Sequence, residues 1–187
     1  MRKLMVFNSV TLDGYFTDKN GDMSWAHAQA DPEWNAFTAE NAKSGGELLF
    51  GRVTYDLMAS FWPTPNAAHA FPEVAEGMNK ARKVVFSRKM DKASWNNTRV
   101  VKGDLIKEVR KLKEEPGEGL VLMGSGTIIS QIALANLIDE YQMIVNPIAL
   151  GKGRTMFDDI GDKLKLALTS TRTFKNGNVL LCYKPKE

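Results

Sequence analysis

Three short runs in this chain have the residue types needed to hold a phosphate. Phe50-Gly51-Arg52-Val53-Thr54 sets a glycine, a fixed positive charge and a hydroxyl where an apolar run gives way to a helical pattern. A glycine there lets the backbone approach a ligand, and the first turn of the helix offers unpaired amides to an anion. Gly124-Ser125-Gly126-Thr127 repeats the theme between a second apolar run and a second helix, the makings of a phosphate cradle. It is neither a dinucleotide fingerprint nor a P-loop, because the glycine spacing and the lysine of those motifs are missing. Phe86-Ser87-Arg88 adds a hydroxyl and a guanidinium fork suited to a phosphate monoester. Taken singly, each is also an ordinary turn or a surface residue. Together they carry more weight, because all three fall at the carboxyl ends of predicted strands, where open α/β sheets bind ligands.

Other chemistries find less support. His27 and His69 have no partners at metal-ligand spacing, so no metal is expected. Ser9, Ser87 and Ser125 lack the sharp strand-to-helix elbow of a serine nucleophile. Trp25, Trp34, Trp62 and Trp95 read as core or pocket lining, and Asp139-Glu140 as a solvated or structural pair at a strand entrance. Cys182 is the single cysteine, which excludes an internal disulfide and a thiol metal cluster. With 25 basic and 22 acidic side chains the net charge is +3, too slight for a nucleic-acid surface. The stretch Lys107 to Lys113 also carries Glu108 and an apolar stripe, and reads as a solvated helix face. A modest positive balance still suits an anionic cofactor. The apolar run Leu4 to Phe7 is too short for a signal peptide, and nothing approaches the roughly 18 apolar residues of a membrane span. A soluble cytoplasmic protein of one domain, residues 1–187, is the expectation.

The elements that position these runs follow from hydrophobic period and punctuation. Strands are predicted over 3–10, 47–50, 83–86, 99–101, 119–123, 140–146 and 179–183, with Leu164, Leu166 and Leu168 alternating as in a half-exposed strand. Helices are predicted from Asp31-Pro32 to Gly45, over 53–60, from Asp104 to Pro116 and over 127–136. Leu12 to Trp25 and the proline-rich Trp62 to Pro72 read as loops, and Asn176-Gly177 as a hairpin turn.

The ordered set Ser9-Val10-Thr11-Leu12-Asp13-Gly14, Gly51-Arg52-Val53-Thr54-Tyr55, Phe86-Ser87-Arg88, Met123-Gly124-Ser125-Gly126, Leu137-Ile138-Asp139-Glu140-Tyr141 and Pro147-Ile148-Ala149-Leu150-Gly151-Lys152-Gly153, followed by Phe157, covers nearly the whole chain. In this set the chain resembles the dihydrofolate reductase superfamily. More closely, it resembles the reductase domain at the C-terminus of bifunctional riboflavin-biosynthesis enzymes. The resemblance implies an α/β three-layer fold, with a central, mostly parallel eight-stranded sheet, an antiparallel C-terminal strand and helices on both faces. It implies NADPH as hydride donor and a homodimer. By motif, Gly51, Arg52 and Thr54 would hold cofactor phosphates, and Ser87 and Arg88 would meet the adenosine end, with Arg88 on the 2′-phosphate. Gly124, Ser125, Gly126 and Thr127 would cradle the pyrophosphate, and Ser9 would lie near the nicotinamide. Proton delivery would fall to Asp13 or to water, and Asp13, Trp25 and Trp62 are the candidates for substrate contact, with Leu12 to Trp25 as a lid.

Two positions depart from folate reductases. Met23-Ser24-Trp25 replaces a Pro-Trp pair in the lid, and the carboxylate that holds the pterin has three candidates here, Asp31, Glu33 and Glu40. The function expected from the resemblance is NADPH-dependent hydride transfer to a small heterocycle, a pyrimidine of the 5-amino-6-(ribosylamino)uracil type or a pterin. The competing expectations are a nucleotide-binding protein of the same fold without efficient catalysis and a purely structural dimerisation domain.

Overall fold

Leu4 and Val6 are fully buried while Met5 and Phe7 face the other side, so the first apolar run is a strand covered on both faces. This strand, β1 (Leu4–Thr11), lies inside a sheet whose remaining strands are β3 (Glu47–Gly51), β4 (Lys83–Phe86), β5 (Thr98–Val101), β6 (Leu120–Leu122), β7 (Glu140–Asn146), β9 (Leu166–Thr173) and β10 (Val179–Pro185). The order across the sheet is β5-β4-β3-β6-β1-β7-β10-β9. All pairings are parallel except those of β10, which runs antiparallel to β7 and β9. The computed structural model describes every residue except 28–30, 125, 159, 162 and 187.

The helices are α1 (Pro32–Lys43), α2 (Arg52–Phe61), α3 (Pro65–Ala70), α4 (Pro72–Lys80), α5 (Leu105–Glu114) and α6 (Gly126–Leu134). Leu4, Val6, Leu49 and Leu122 pack on one face of the sheet with Val109 and Leu112 of α5 and Ile129 and Ile132 of α6. Leu48, Phe50 and Val85 pack on the other with Tyr55, Trp62 and Met78 from the α2–α4 side. Phe37 of α1 meets Ile144, Phe174 and Leu180 over the β7–β10 end of that second face. Each such side chain contributes roughly 1.5–3 kcal/mol by leaving water. The expected three-layer α/β architecture is therefore the observed one.

Two local expectations need correction. The run 62–72 is not a loop: it carries α3 and leads directly into α4, which the sequence pattern did not reveal. Of the three prolines read as breakers, Pro65 and Pro72 sit in the first turns of these helices, where the missing N–H costs nothing, and Thr64 caps α3 by accepting from the amide of Ala67. Nor is 12–25 wholly irregular. Its β2 (Thr17–Asp18) pairs antiparallel with β8 (Gly153–Arg154), which ties this segment to the 147–154 loop. The Asn176-Gly177 turn does join β9 to β10, with Gly177 N–H donating to Phe174 O at 3.0 Å.

Because β6 is inserted between β3 and β1, the loops leaving these three strands stand side by side at the carboxyl edge. At the opposite, amino edge, buried charges tie the strand entrances together. Arg2 donates to Glu47 at 2.8 Å and to the carbonyls of Glu118 and Gly119. Lys113 pairs with Asp139, whose carboxylate also accepts the amide of Leu4 at 2.7 Å. Lys83 is 1% exposed, and its ammonium donates to Met78 O, Asn79 O and Ala81 O at the end of α4. It also lies 4.4 Å from the centre of the Trp95 ring.

Candidate active site

A cavity of about 590 Å³ lies between the sheet and the helices α1, α2 and α4. Its floor is Met5, Phe7, Leu48, Val121 and Met123, and its walls include Trp34, Met58, Phe61, Trp62, Phe71 and Met78. Close helix packing forms part of this enclosure. A Cβ on Gly77 of α4 would stand 2.5 Å from the Ala42 carbonyl of α1, so only glycine permits this approach.

The glycine-rich junctions border the same space. Thr54, in the first turn of α2, and Gly124, just after β6, both line the cavity. Gly124 has φ +67°, and a Cβ there would lie 2.5 Å from Thr54 Cγ2. Both the backbone conformation and the contact with Thr54 therefore require glycine. Asn8 fixes the junction from below. Its Oδ1 accepts the Gly124 amide at 2.6 Å, and its Nδ2 donates to Met156 Sδ at 2.7 Å. In the sequence Asn8 is marked only as a lone amide following the apolar run Leu4 to Phe7.

Ser9 and Trp62, both expected at the site, line the cavity; Trp62 Nε1 donates to Met58 Sδ at 3.1 Å. Gly51 is buried as the N-cap of α2 and supplies no side-chain cap, so amides of the first helical turn stay open to an anion. Arg52 is exposed on that turn and pairs with Asp56 at 2.9 Å. Ser87 Oγ accepts from the amides of Lys89 and Met90, and Arg88 is exposed beside it. Gly126 opens α6 against the backbone of Thr155 and Met156, with Thr127 exposed in its first turn. Ser125 lies outside the described residues.

Of the cofactor candidates, Gly51, Arg52, Ser87, Arg88, Gly126 and Thr127 lie outside the cavity lining, and so do two of the three residues expected to contact substrate, Asp13 and Trp25. Asp13 is absent from its lining and instead ties down the 147–151 loop. Its carboxylate accepts from Thr11 Oγ1 at 2.6 Å, from Gly151 N at 2.7 Å and from Leu150 N at 3.1 Å. The Thr11 hydroxyl, then the Gly151 amide, hold its pKa below the usual carboxylate range. That is the setting of an ionised anchor rather than of a proton donor. Trp25 borders a separate space of about 170 Å³ with Asn146, Asn176 and Asn178, and its buried Nε1 has no partner among the described residues.

The candidate helix carboxylates also point elsewhere. Asp31 caps α1 through Glu33 N and accepts from Asn176 N, Glu33 pairs with Arg172 at 2.8 Å, and Glu40 is exposed. The face that α1 turns to the cavity presents Asn35, Thr38 and Asn41. Among the described residues, the one acidic side chain lining the cavity is Asp22. It is placed by a tight turn in which Asp18 accepts from Asn20 N at 2.7 Å and Asp22 N at 2.8 Å. These amides, that of Asp22 first, hold the Asp18 pKa low.

The mostly parallel sheet with an antiparallel strand near one edge is that of the dihydrofolate reductase-like fold. The RibD C-terminal domain family matches residues 2–180, and the chain belongs to that family, one of reductase domains in the riboflavin pathway. It is 29% identical over 182 residues to the uncharacterized protein YyaP of Bacillus subtilis, covering 97% of this chain and 94% of that one. Among solved structures it is similar to a protein of Shewanella sp. PV-4 named for riboflavin biosynthesis, with TM-score 0.76, 24% identity and 99% of both chains covered. It is also similar to a diaminohydroxyphosphoribosylaminopyrimidine deaminase/5-amino-6-(5-phosphoribosylamino)uracil reductase of Thermotoga maritima, with TM-score 0.68 and 16% identity. That match covers 99% of this chain and 57% of the Thermotoga chain.

Proposed function

We propose that this protein is an NADPH-dependent reductase acting on a small heterocyclic substrate. The observation that carries this reading is that Thr54 and Gly124 belong at once to the phosphate-type junctions and to the cavity wall. A ligand with an anionic end and a flat end can therefore lie along the carboxyl edge and reach into the cavity. The residues present fit such a cofactor: an uncapped α2 N-terminus, a glycine that a Cβ would displace, and two exposed arginines. NADPH, when bound, supplies the hydride.

Arg52 can leave Asp56 for a phosphate at little cost, because an exposed ion pair is worth only about 0–1 kcal/mol. Ser87 Oγ accepts two amides and so has its own O–H free to donate, next to the Arg88 guanidinium that this reading sets on the 2′-phosphate. The aromatic walls exclude water and hold a flat ring against Ser9 and Thr54, which is positioning rather than proton chemistry.

Titration of NADPH fluorescence against wild type, Arg52→Ala and Arg88→Ala tests the reading. Micromolar binding, weakened roughly tenfold by each change as expected for a charged hydrogen bond, supports it. No binding at millimolar NADPH removes it. A second reading, a nucleotide-binding protein without efficient catalysis, is favoured by the amides that stand on α1 in place of a carboxylate. It predicts NADPH binding with no oxidation across pyrimidine, pterin and flavin acceptors.

A further inference from the structure

The cavity changes character along the strands that floor it. Strand register divides that floor into rows. Met5 of β1 and Leu48 of β3 both lie level with Val121 of β6, so these side chains form one apolar row in the amino half of the sheet. Phe7 and Met123 stand two residues further along, and Ser9 and Gly124 border the carboxyl edge. Met5 and Ser9 are four residues apart on one extended strand, which sets the two ends of the floor about 13 Å apart.

The walls follow the same direction. Ser9, Asp22, Asn35 and Thr54 gather toward the carboxyl edge, at the end of β1, the lid, and the first turns of α1 and α2. Asp22 is the charged side chain among the described residues that line the cavity, and it stands at this end. The other end is apolar. α1 and α4 lead into the starts of β3 and β4, so their last turns lie at the amino edge, where they contribute Ala42 and Met78, with Val74 one turn earlier. The Thr38 hydroxyl donates to carbonyls of its own helix and the Asn41 Nδ2 is buried, so neither donor is offered to the space.

This arm reaches the surface. Ser44, exposed at the C-cap of α1, and Gly46, just before β3, complete its lining. A Cβ on Gly46 would stand 3.0 Å from Val121 Cγ2 and 3.8 Å from Ser44 Oγ, so the glycine keeps the passage between floor and rim clear. Apolar walls offer water few hydrogen bonds, whereas a methylene placed among them gains contact and leaves water itself.

We infer that this arm is a subsite for a slim apolar tail. The substrate is then an elongated molecule, with a polar, reducible head at the carboxyl edge and an aliphatic chain running along Val121, Met5 and Leu48 toward Ser44. The placement of the reducible head rests on the reductase reading above; the preference of the arm for a chain does not.

The test titrates para-alkylbenzamides with methyl, butyl and hexyl tails into the whole chain by calorimetry. It is run with and without saturating NADP⁺, whose own binding is measured separately. Affinity should rise about fourfold for each methylene added, the gain for taking one CH₂ out of water, whether or not NADP⁺ is present. Gly46 does not have a left-handed backbone, so Gly46→Leu can place a side chain in the arm. It should flatten the rise, with the hexyl member losing most and the methyl member least. Val74→Phe narrows the arm from α4 and should flatten the rise likewise if the leucine variant does not fold. An affinity that stays flat along the series in the wild type overturns the inference, and so does a rise that survives in the folded variants. Loss of NADP⁺ binding with the rise intact would remove the reductase reading and leave the tail subsite standing.

Discussion

At the amino edge of the sheet Arg2, Glu47, Lys83 and Lys113 are buried and each has a partner, whereas at the carboxyl edge the first turn of α2 has no side-chain cap. The same parallel strands carry both regions. Where strands begin, polar groups are closed off against each other and hold the entrances in register. Where they end, polar groups are left for something outside the chain. A buried group costs free energy unless it is satisfied, so satisfaction at one end and openness at the other separates what stabilises this fold from what is available to a ligand.

The largest effect should come from breaking the closed end. Arg2→Met leaves the Glu47 carboxylate buried with only the more distant Arg82, 3.7 Å away, and should destabilise the protein by about 3–5 kcal/mol in urea unfolding. Adding Glu47→Leu should recover most of that loss, because an apolar pair replaces an ionic one. NADPH affinity of the folded fraction should not change in either variant; a change would mean that the two ends are coupled. Gly124→Ala tests the open end. The left-handed backbone alone costs about 1–2 kcal/mol for a side chain, and the collision with Thr54 adds to it. NADPH affinity should fall at least tenfold. Thr54→Ala removes the closest atoms and should restore part of the stability but not the affinity.

Lys83 gives a smaller effect with a defined pH signature. Burial pushes its pKa down to about 8 from 10.5, so below pH 8 the folded protein carries the cost of a desolvated ammonium. Stability should rise as pH increases from about 8 toward 10.5, where the folded form sheds the proton before the unfolded one does. Lys83→Met should abolish that rise in a pH series of thermal melts, while leaving the α4 carbonyls short of a donor. Tyr141 has the opposite sign. Burial raises it to about 12 from 10.0, so its contribution is complete below pH 10 and declines above it. The smallest effect is expected at Asp13. Asp13→Asn should speed amide exchange at Leu150 and Gly151 and lower turnover by less than about tenfold, the scale of a positioning defect rather than of a lost acid, which costs about 10²–10⁴. A loss of that larger size would return Asp13 to the chemistry.

Much of the fold was legible because it rests on local signals. The runs at Leu4–Phe7, Leu48–Phe50 and Val84–Phe86 are apolar on both faces, Asp31-Pro32 and Asp104 start helices, and Asn176-Gly177 makes a hairpin turn. The helices α3 and α4 were missed because prolines that break a helix inside it also begin one, and position within the helix decides between the two. The junction residues Gly51, Thr54 and Gly124 were legible for a similar reason: a glycine between a strand and a helix has a local conformational cause. Asp13 shows the limit. Its motif was conspicuous, but the amides it accepts belong to residues more than a hundred positions away. Asn41 and Asn8 carried no marked signal, because an amide is informative only once its surroundings are known.

The sequence by itself determined the strands of the large sheet, four of the six helices among the described residues, the family resemblance and the places where backbone could cradle an anion, since these follow from period, capping and turn chemistry among near neighbours. Only the tertiary structure decided which polar groups are satisfied. Insertion of β6 between β3 and β1 brought Gly124 against Thr54, and the packing of α1 over the sheet turned Asn35 and Thr38, rather than Glu33 or Glu40, toward the cavity. Whether a buried polar group stabilises the fold or waits for a ligand depends on what stands across from it, and that is set by contacts between segments far apart in the chain.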